Sequence, residues 1–244
     1  MGRYDDKVVL VTGSSSGIGE AAAHRFAEAG ATVVVNSATS VSAGEAVAAA
    51  LPRASYFQAD VSDPEAAAAL IDHTVSTHGH LDVLVNNAGT TKVIPHHDLD
   101  AVTDEVFRRI IDVNLFGTWQ LTQLALPHLK ATGNGSVVNV TSIAGVRATG
   151  SSIPYAVSKA ALNHLTVLLA NVVGPEVRMN AVAPGLVRTP WTEDWGPLHE
   201  IVGDRAPLGR SAEADDIAEV IVDIAAAAYL TGQVIVVDGG LTLA

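Results

Sequence analysis

Three side chains of this sequence have the types and spacing needed to exchange a proton with a carbonyl oxygen. Tyr155 and Lys159 are four residues apart, and Ser142 precedes them. Residues at i and i+4 share one face of a helix, so the Lys159 ammonium is expected beside the Tyr155 phenol. A neighbouring cation favours the phenolate and lowers the tyrosine pKa toward the working range of an acid/base catalyst. Ser142 would donate a hydrogen bond to the same substrate oxygen.

The same residues also have a structural interpretation. Tyr155 and Lys159 would then be an ordinary surface pair on a helix, and Ser142 a turn residue. These three positions by themselves support both interpretations equally. The elements that carry them must decide.

A turn of glycines and hydroxyl residues lies near the start of the sequence. It follows the apolar run 8–11 and precedes a helical pattern that begins at Ile18. Free N–H groups at a helix N-terminus attract anions, and glycine lets the backbone approach a pyrophosphate closely. The turn therefore predicts a dinucleotide-phosphate site, with an ordinary strand-to-helix turn as the alternative. Its residues are Gly13, Ser15, Ser16, Gly17, Ile18 and Gly19.

Strand-like and helix-like segments alternate along the sequence. Short apolar runs at 32–35, 83–85 and 136–140 are separated by helical patterns, the longest covering about 103–131. This order predicts parallel strands joined by right-handed crossovers. We expect one α/β domain over 1–244, a doubly wound Rossmann-type fold with a mostly parallel seven-stranded sheet and helices on both faces. An irregular stretch is expected after Gly185, up to about Ser211.

Several polar residues and glycines follow directly after predicted strands. They are Thr12, Gly13, Asp60, the run 86–89, Ser142, Pro184 and Gly185. Ligands of such sheets bind beyond the carboxyl ends of the strands, so these residues are expected to meet at one edge. Their convergence favours the dinucleotide interpretation of the glycine-rich turn.

Composition excludes several function classes. Hydrophobic residues make up 48% and charged residues 16%, which is typical of a folded core, and the net charge of −12 disfavours nucleic acid and anionic membranes. The absence of cysteine excludes disulfides and thiolate sites. No signal peptide and no apolar run long enough to span a bilayer are expected. These features predict a cytoplasmic protein.

The nine histidines raise the question of a metal site. They include a group at His73, His78 and His80 and the adjacent pair His96 and His97. None of their spacings matches a zinc-binding helix motif. We expect solvated surface histidines and no metal.

Taken together, the motifs resemble those of the short-chain dehydrogenase/reductase family, in its compact branch, over essentially the whole sequence. The matching motifs are Thr12-Gly-Ser-Ser-Ser-Gly-Ile-Gly19, Asn86-Asn-Ala-Gly89, Ser142, Tyr155-Ala-Val-Ser-Lys159, Asn180-Ala-Val-Ala-Pro-Gly185, Gly232-Gln and Asp238-Gly-Gly240. The resemblance implies an NAD(P)(H)-dependent oxidoreductase that interconverts a ketone and a secondary alcohol. One alternative is a catalytically silent dinucleotide sensor or scaffold, which typically lacks the tyrosine or the lysine. Another is an extended-branch epimerase or dehydratase, which normally has a longer C-terminal region.

The resemblance also implies residue roles. Tyr155 would be the acid in reduction and the base in oxidation, Lys159 would lower its pKa and bind the nicotinamide ribose, and Ser142 would polarise the carbonyl. Asn114 matches an asparagine that holds a water linking Lys159 to solvent, with a structural buried asparagine as the alternative. Besides the glycine-rich turn, the dinucleotide would contact Asn36, Ser37, Asp60, Val61, Asn87, Ala88, Gly89, Tyr155, Lys159, Pro184, Gly185, Val187 and Thr189.

The residues after the second strand bear on the choice of cofactor. A carboxylate there selects NAD by binding the ribose 2′-hydroxyl, but this sequence has Asn36 and Ser37. Ser16 and Thr39 stand where NADP-preferring relatives often carry arginine. Hydroxyl and N–H groups also bind phosphate. NADP is therefore the preferred cofactor, with NAD as the alternative.

The segment 186–205 resembles the mobile substrate flap of the family and contains Trp191 and Trp195. The two indoles form either an apolar wall over a ring-bearing ketone or ordinary flap packing. The sequence is also similar to 3-oxoacyl-carrier-protein reductases, but Lys130 is the only basic residue near the expected docking sites for an acidic carrier. We expect a free small-molecule ketone or alcohol, with the carrier-bound substrate as the alternative.

A helix is predicted over 154–172 and is apolar on nearly every side. One side would cover the sheet and the other requires a partner subunit. The family resemblance implies a homotetramer, with a dimer as the alternative.

Overall fold

The computed structural model describes residues 2–243. Its strands are β1 (Val8–Val11), β2 (Thr32–Ser37), β3 (Ala54–Gln58), β4 (Val83–Asn86), β5 (Gly135–Val140), β6 (Val177–Pro184), β7 (Val187–Arg188), β8 (Ala212–Glu213) and β9 (Val234–Val237). Within this part of the chain, seven strands form a parallel sheet in the order β3-β2-β1-β4-β5-β6-β9, and β7 pairs with β8. The doubly wound fold predicted from the alternating segments is confirmed.

The helices connect consecutive strands. They are α1 (Gly17–Glu28), α2 (Val41–Ala50), α3 (Pro64–His78), α4 (Asp104–Ile111), α5 (Thr118–Ala131), α6 (Ile153–Val173), α7 (Gly196–Arg205) and α8 (Ala214–Ala226). Several begin with the expected signals: in α3, the Asp63 carboxylate accepts a hydrogen bond from the Glu65 N–H at 2.9 Å, and Pro64 occupies the first turn.

Apolar side chains are buried on both faces of the sheet. On one face, Phe26 of α1 and Ile217 and Ile221 of α8 belong to one cluster. On the other face, Leu70 of α3 and Leu121 of α5 belong to a second cluster. Because both faces are covered, the central strands read as continuous apolar runs rather than as alternating ones.

The strand order reverses between β1 and β4. The chain runs outward from β1 through β2 to β3, and then returns to place β4 on the other side of β1. Loops that leave the carboxyl ends of two such strands diverge and open a crevice, which is where ligands of doubly wound sheets bind. The topology thus places the glycine-rich turn and the segment after β4 side by side at this crevice.

The long helix predicted over about 103–131 is interrupted. Between α4 and α5 the chain forms a π-helix at Asp112–Gly117. A π-turn takes in one extra residue, which changes the direction of the side chains around it. Gly117 is required there, since a Cβ at this position would lie 2.9 Å from the carbonyl oxygen of Val61.

The expectation of an irregular stretch after Gly185 is wrong in part. It contains the helix α7 and the short strands β7 and β8. Helix α7 carries Gly196, Pro197 and Gly203, and its buried residues are His199 and Val202. Because α7 contains glycine and proline and buries a histidine, its sequence lacks the apolar periodicity that predicts a helix.

Helix α6 is long and apolar enough, by length and composition alone, to cross a membrane. The expectation that no segment meets this criterion is therefore wrong. The helix packs on β6, and its buried residues include Lys159, Asn163 and Thr166 together with Leu162 and Ala170. A helix that packs on the sheet of an α/β fold can therefore have the same apolar composition as a membrane span.

Candidate active site

A cavity of about 950 Å³ lies at the carboxyl ends of the strands. It brings together most of the residues singled out from the sequence. Those lining it are Gly13, Ser15, Ser16, Gly17, Ile18, Asn87, Ala88, Gly89, Ser142, Tyr155, Lys159, Pro184, Gly185, Val187 and Thr189. The remaining predicted residues, which do not line it, are Gly19, Asn36, Ser37, Asp60, Val61 and Asn114.

The glycine-rich turn is joined to the segment after β4. The Asn87 side-chain amide donates to the carbonyls of Thr12 and Gly13, at 2.9 and 3.0 Å. The Thr12 hydroxyl accepts from the N–H of Ala88 at 3.0 Å. Gly13 has a φ of +61°, and a Cβ there would stand 2.9 Å from the Ala88 Cα. The turn and the segment after β4 are therefore in close contact, and only glycine fits at position 13.

The N-terminus of α1 opens into the cavity. Its cap residue, Ser16, makes no side-chain capping hydrogen bond, and Gly17 has a φ of +58°. The first N–H groups of a helix lack intrahelical partners and carry partial positive charge. Because Gly17 and Ile18 line the cavity, this end of α1 has the donor set that suits the pyrophosphate of a dinucleotide.

Gly19 lies just behind the turn. A Cβ at this position would lie 2.5 Å from the carbonyl oxygen of Gly13 and 2.5 Å from the side-chain nitrogen of Asn87. Gly19 therefore allows α1 to pack directly against the turn.

Tyr155 stands in the first turn of α6. The Ser152 hydroxyl caps this helix by accepting from the Tyr155 N–H at 3.4 Å, so the cap sets where the phenol projects. Burial raises the pKa of the Tyr155 hydroxyl to about 12, and a hydrogen bond with Ser142 partly opposes this increase. In the structure Tyr155 is therefore a protonated, partly buried phenol next to a serine hydroxyl.

Lys159 lies one helical turn further along α6. Its Nζ donates to the Val140 carbonyl at 2.8 Å and lies 5.7 Å from the centre of the Tyr155 ring. Burial lowers the pKa of Lys159 to about 8. The shift of the Tyr155 pKa arises from burial and from the Ser142 hydrogen bond, and the Lys159 ammonium is directed at a backbone carbonyl.

Asn114 is fully buried in the π-helix. Its Oδ1 accepts from the Thr90 N–H at 2.7 Å, and its Nδ2 donates to the Thr90 carbonyl and the Ser158 hydroxyl, both at 3.0 Å. Asn114 thus ties the segment after β4 to α6, the helix that carries Tyr155. The Asn114 side chain thus connects three elements: the π-helix, the segment after β4 and α6.

Asn36 and Ser37 are buried at the end of β2. The Asn36 side-chain oxygen accepts from the Gly13 N–H at 3.3 Å, and its amide donates to the carbonyls of Phe57 and Ala59. The Ser37 hydroxyl lies 2.9 Å from the hydroxyl of Tyr56. Asn36 therefore supports the glycine-rich turn from behind, and both side chains already have partners within the protein.

Asp60 and Val61 lie after β3. The Asp60 carboxylate accepts from the Ser62 hydroxyl at 2.6 Å and from the Arg109 guanidinium at 3.0 Å. Partial burial opposes ionisation of Asp60, but these hydrogen bonds outweigh it and lower its pKa. Asp60 is thus an ionised carboxylate paired with a cation, and Val61 is buried beside Gly117.

The cavity also has lining residues that the sequence motifs do not indicate. Most are apolar and belong to three segments: the stretch after β4, the loop before α6 and the flap. They include Val93, Ile94, Pro95, His96, Ile143, Ala144, Ala148, Leu186, Pro197, Leu198 and Val202. For the first two segments, the position directly after β4 and β5 was the available signal, because ligand-binding loops of such sheets start there. The flap residues lie within the segment 186–205, which the family resemblance had already indicated.

Both tryptophans of the flap, Trp191 and Trp195, line the cavity. The Trp191 ring meets the Tyr155 ring edge to face, with centroids 6.3 Å apart and an interplanar angle of 75°. Aromatic pairs favour this geometry. The indole therefore borders the space directly in front of the phenol.

Among residues 2–243, no group of three or more histidine, aspartate or glutamate side chains is placed to hold a metal ion. The expectation that the histidines are solvated is wrong for His199. This residue is buried, with its Nδ1 2.9 Å from the Ser211 hydroxyl. It joins the flap helix α7 to the segment that precedes α8.

The sequence of this chain is similar to those of known proteins over nearly its whole length. A family model described as enoyl-(acyl carrier protein) reductase matches residues 13–242. The chain is 56% identical over 97% of its length to granaticin polyketide synthase ketoacyl reductase 2 of Streptomyces violaceoruber, covering 96% of that protein. It is 37% identical over 99% of its length to the 3-oxoacyl-acyl-carrier-protein reductase of Thermotoga maritima, covering all of it.

The chain belongs to the short-chain dehydrogenase/reductase family. A solved structure of a family member from Brucella melitensis, titled as a glucose/ribitol dehydrogenase, superposes with a TM-score of 0.93 at 30% identity, covering 98% of each chain. As a member of this family the chain is an NAD(P)(H)-dependent oxidoreductase that interconverts a ketone and a secondary alcohol. The resemblance stated from its motifs is confirmed, and neither the silent sensor nor the extended-branch enzyme is favoured.

Proposed function

We propose that this short-chain dehydrogenase/reductase reduces a free, ring-bearing ketone with NADPH and that Tyr155 is its acid/base residue. The observation that carries the proposal is the single cavity lined by Ser142, Tyr155, Lys159 and the glycine-rich turn. A bound nicotinamide would supply the hydride. The protein's own residues bind and orient the ketone and move the proton.

The carbonyl oxygen would accept hydrogen bonds from the hydroxyls of Tyr155 and Ser142. With its pKa raised to about 12, Tyr155 is protonated at neutral pH and therefore holds the proton that the developing alkoxide requires. Lys159, with its pKa lowered to about 8, is still charged at neutral pH and stabilises negative charge on the phenol oxygen once the proton has left. We assign Asn114 a positioning role, because it connects the segment after β4 to α6.

The preference for NADPH is supported by the end of β2. No carboxylate stands there, and the Asn36 side chain is turned toward the glycine-rich turn. The ribose 2′-phosphate would thus meet hydroxyl and N–H groups rather than a repelling carboxylate. The measurement is kcat/KM with NADPH and with NADH, and equal or higher efficiency with NADH would contradict this part of the proposal.

A free ketone is supported by charge and by the lining of the cavity. The net charge of −12 opposes docking of an acidic carrier protein, nucleic acid or an anionic membrane. The apolar flap residues Trp191, Trp195 and Leu198 favour a substrate with a ring system. Some relatives are named for ring or acyl substrates, including a cis-4-hydroxycyclohexanecarboxylate dehydrogenase from Sinomonas cyclohexanicum. The lack of cysteine and the use of NADPH support a cytoplasmic enzyme.

A homotetramer is supported by two separate sets of exposed apolar side chains. One set lies on the π-helix, α5 and α6 and includes Phe116, Trp119, Leu168 and Val172. The other lies before and along β9, the edge strand of the sheet, and includes Tyr229 and Val236. Two different self-complementary surfaces generate a tetramer of dihedral symmetry. Light scattering at micromolar concentration tests this, and a monomer would contradict it.

The activity itself is tested by following the absorbance of the reduced nicotinamide. Both cofactors are offered with a panel of cyclic and acyclic ketones, and the same ketones attached to an acyl-carrier protein form a separate arm. We expect oxidation of NADPH with free cyclic ketones. Turnover of carrier-bound substrates alone would favour the carrier-protein reductase instead.

A further inference from the structure

We propose that His96 binds the substrate and recognises a second oxygen substituent, a hydroxyl or carbonyl group, on the ketone. The inference rests on the proposed function, since it concerns the substrate end of the same cavity. It assigns a specificity-determining role to a residue outside the motifs that define the family.

His96 lies in the segment that follows β4 and lines the cavity. This segment is joined to the loop before α6. The Ile94 N–H donates to the Ser151 carbonyl at 2.8 Å, and the hydroxyls of Thr91 and Ser151 are 2.6 Å apart. Since Ser152 caps the helix that carries Tyr155, these contacts place His96 on a framework shared with the acid/base residue.

His96 has an unsatisfied polar atom. Within residues 2–243, the buried side-chain nitrogen or oxygen atoms without a hydrogen-bond partner belong to His96 (Nε2), Gln120, Ser136, Asn163 and Arg178. Of these five residues, His96 alone lines the cavity. Buried polar atoms of native proteins nearly always have a partner, so an unpartnered nitrogen in a side chain that lines a binding cavity points to a ligand group that completes it.

The neighbouring polar side chains already have partners. Thr91 and Ser151 bind each other, and the Thr192 hydroxyl donates to the Val187 carbonyl at 2.6 Å. The lining that remains around the segment is apolar, including Val93 and Ile94. His96 is therefore a polar group available for recognition in predominantly apolar surroundings.

The chemistry of imidazole defines the partner. A neutral ring nitrogen donates a hydrogen bond in one tautomer and accepts one in the other. A hydroxyl group serves both tautomers, and a carbonyl oxygen serves the donor. A bound ketone that lacks this oxygen excludes water from the cavity and leaves Nε2 without a hydrogen-bond partner. Enzymes reject analogues without the recognised group in this way.

The test compares α-tetralone with its ring-hydroxylated derivatives. Specificity is the ratio of kcat/KM for each hydroxylated ketone to that for α-tetralone, measured with NADPH. The same ratio is measured for the dissociation constants by calorimetry in the presence of oxidised cofactor, where no turnover takes place. The variants are His96→Phe, which keeps an apolar ring, His96→Gln, which restores hydrogen bonding, and His97→Phe, a matched control at the exposed neighbour.

We expect at least one hydroxylated ketone to be preferred by the wild-type enzyme. The specificity ratio should fall about tenfold in His96→Phe, recover in part in His96→Gln and stay unchanged in His97→Phe. The proposal is overturned if no hydroxylated ketone is preferred, if His96→Phe keeps the preference, or if neither compound binds. A lack of turnover with every ketone would contradict the proposed function, whereas the calorimetric ratio would still decide the role of His96.

Discussion

The side-chain nitrogen of Lys159, on α6, donates a hydrogen bond to the backbone carbonyl of Val140, at the end of β5, at a distance of 2.8 Å. The lysine is buried, and burial lowers its pKa from 10.5 to about 8. The enzyme therefore carries a cation whose desolvation costs stability, and that cost is linked to pH.

Replacing this lysine, Lys159→Met, should stabilise the fold while impairing catalysis. Between pH 8 and 10.5 the unfolded chain binds more protons at this site than the folded one. The destabilisation is therefore complete below pH 8 and vanishes above 10.5. The free energy of unfolding of the variant should exceed that of the wild type by up to about 3 kcal/mol at neutral pH. Above pH 10.5 the two free energies should be equal. Urea unfolding across this range measures the difference, and a pH-independent difference would contradict the assignment.

Tyr155→Phe should reduce kcat by about 10²- to 10⁴-fold, because it removes the proton donor and keeps the ring. The Trp191 contact and the fold should survive, since the edge-to-face pair needs only the aromatic ring. The measurements are NADPH oxidation for activity, circular dichroism for the fold and calorimetry for cofactor binding. Activity within tenfold of wild type would exclude Tyr155 as the acid/base residue.

Trp191→Ala should weaken turnover of ring-bearing ketones more than that of small acyclic ones. The indole borders the space in front of Tyr155, and an apolar aromatic wall contributes mainly to substrates that cover it. We expect kcat/KM for a bicyclic ketone to fall about tenfold relative to an acyclic ketone, with Trp191→Phe close to wild type. Equal losses for both classes would show that the indole only packs the flap.

Arg178→Ala should lower the free energy of unfolding by about 1–3 kcal/mol. The guanidinium of Arg178 donates to the carbonyls of Ala225 and Ala227, each at 2.9 Å, and so satisfies the carboxyl end of α8. The matched control is Arg3→Ala, which breaks an exposed ion pair with Asp223 and should cost less than about 1 kcal/mol. Urea unfolding of both variants tests this, and equal losses would argue against the capping role.

Acidification should destabilise the protein through His73 and His78. Burial lowers the pKa of both below 6.5, and nearby His73 and His80 also contribute to the shift of His78. The unfolded chain therefore takes up protons first, and stability falls as the pH decreases from 6.5 through the folded pKa values. The double variant His73→Phe, His78→Gln should show a shallower dependence in thermal unfolding at different pH values. His97→Gln, at an exposed position, should keep the wild-type slope.

The alternating apolar segments predicted the sheet and its flanking helices correctly, because burial on both faces leaves a direct pattern in the sequence. The same reasoning missed α7, whose Gly196, Pro197 and Gly203 are poor helix formers. The sequence pattern also predicted α4 and α5 as one continuous helix. The π-helix between them, Asp112–Gly117, differs from an α-helix in its backbone hydrogen bonds, and the residue types of the segment do not reveal that difference.

The motif residues were predicted as a set, and most of them line one cavity. The side chain of Asn36 is used within the protein, where it accepts a hydrogen bond from the Gly13 N–H and donates to the carbonyls of Phe57 and Ala59. Which way a short polar side chain turns depends on partners from distant segments. Local sequence carries no record of them.

The sequence by itself indicated the family through the resemblance of its motifs. It also determined the doubly wound sheet and the pairing of Tyr155 with Lys159 on one helix, since these two follow from local periodicity and spacing. Tertiary structure alone decided that Lys159 is directed at Val140, that the tyrosine pKa rises instead of falling, and that the His96 nitrogen is left without a partner beside the cavity. The physical reason is that desolvation and hydrogen bonding depend on which remote segments surround a group once the chain has folded.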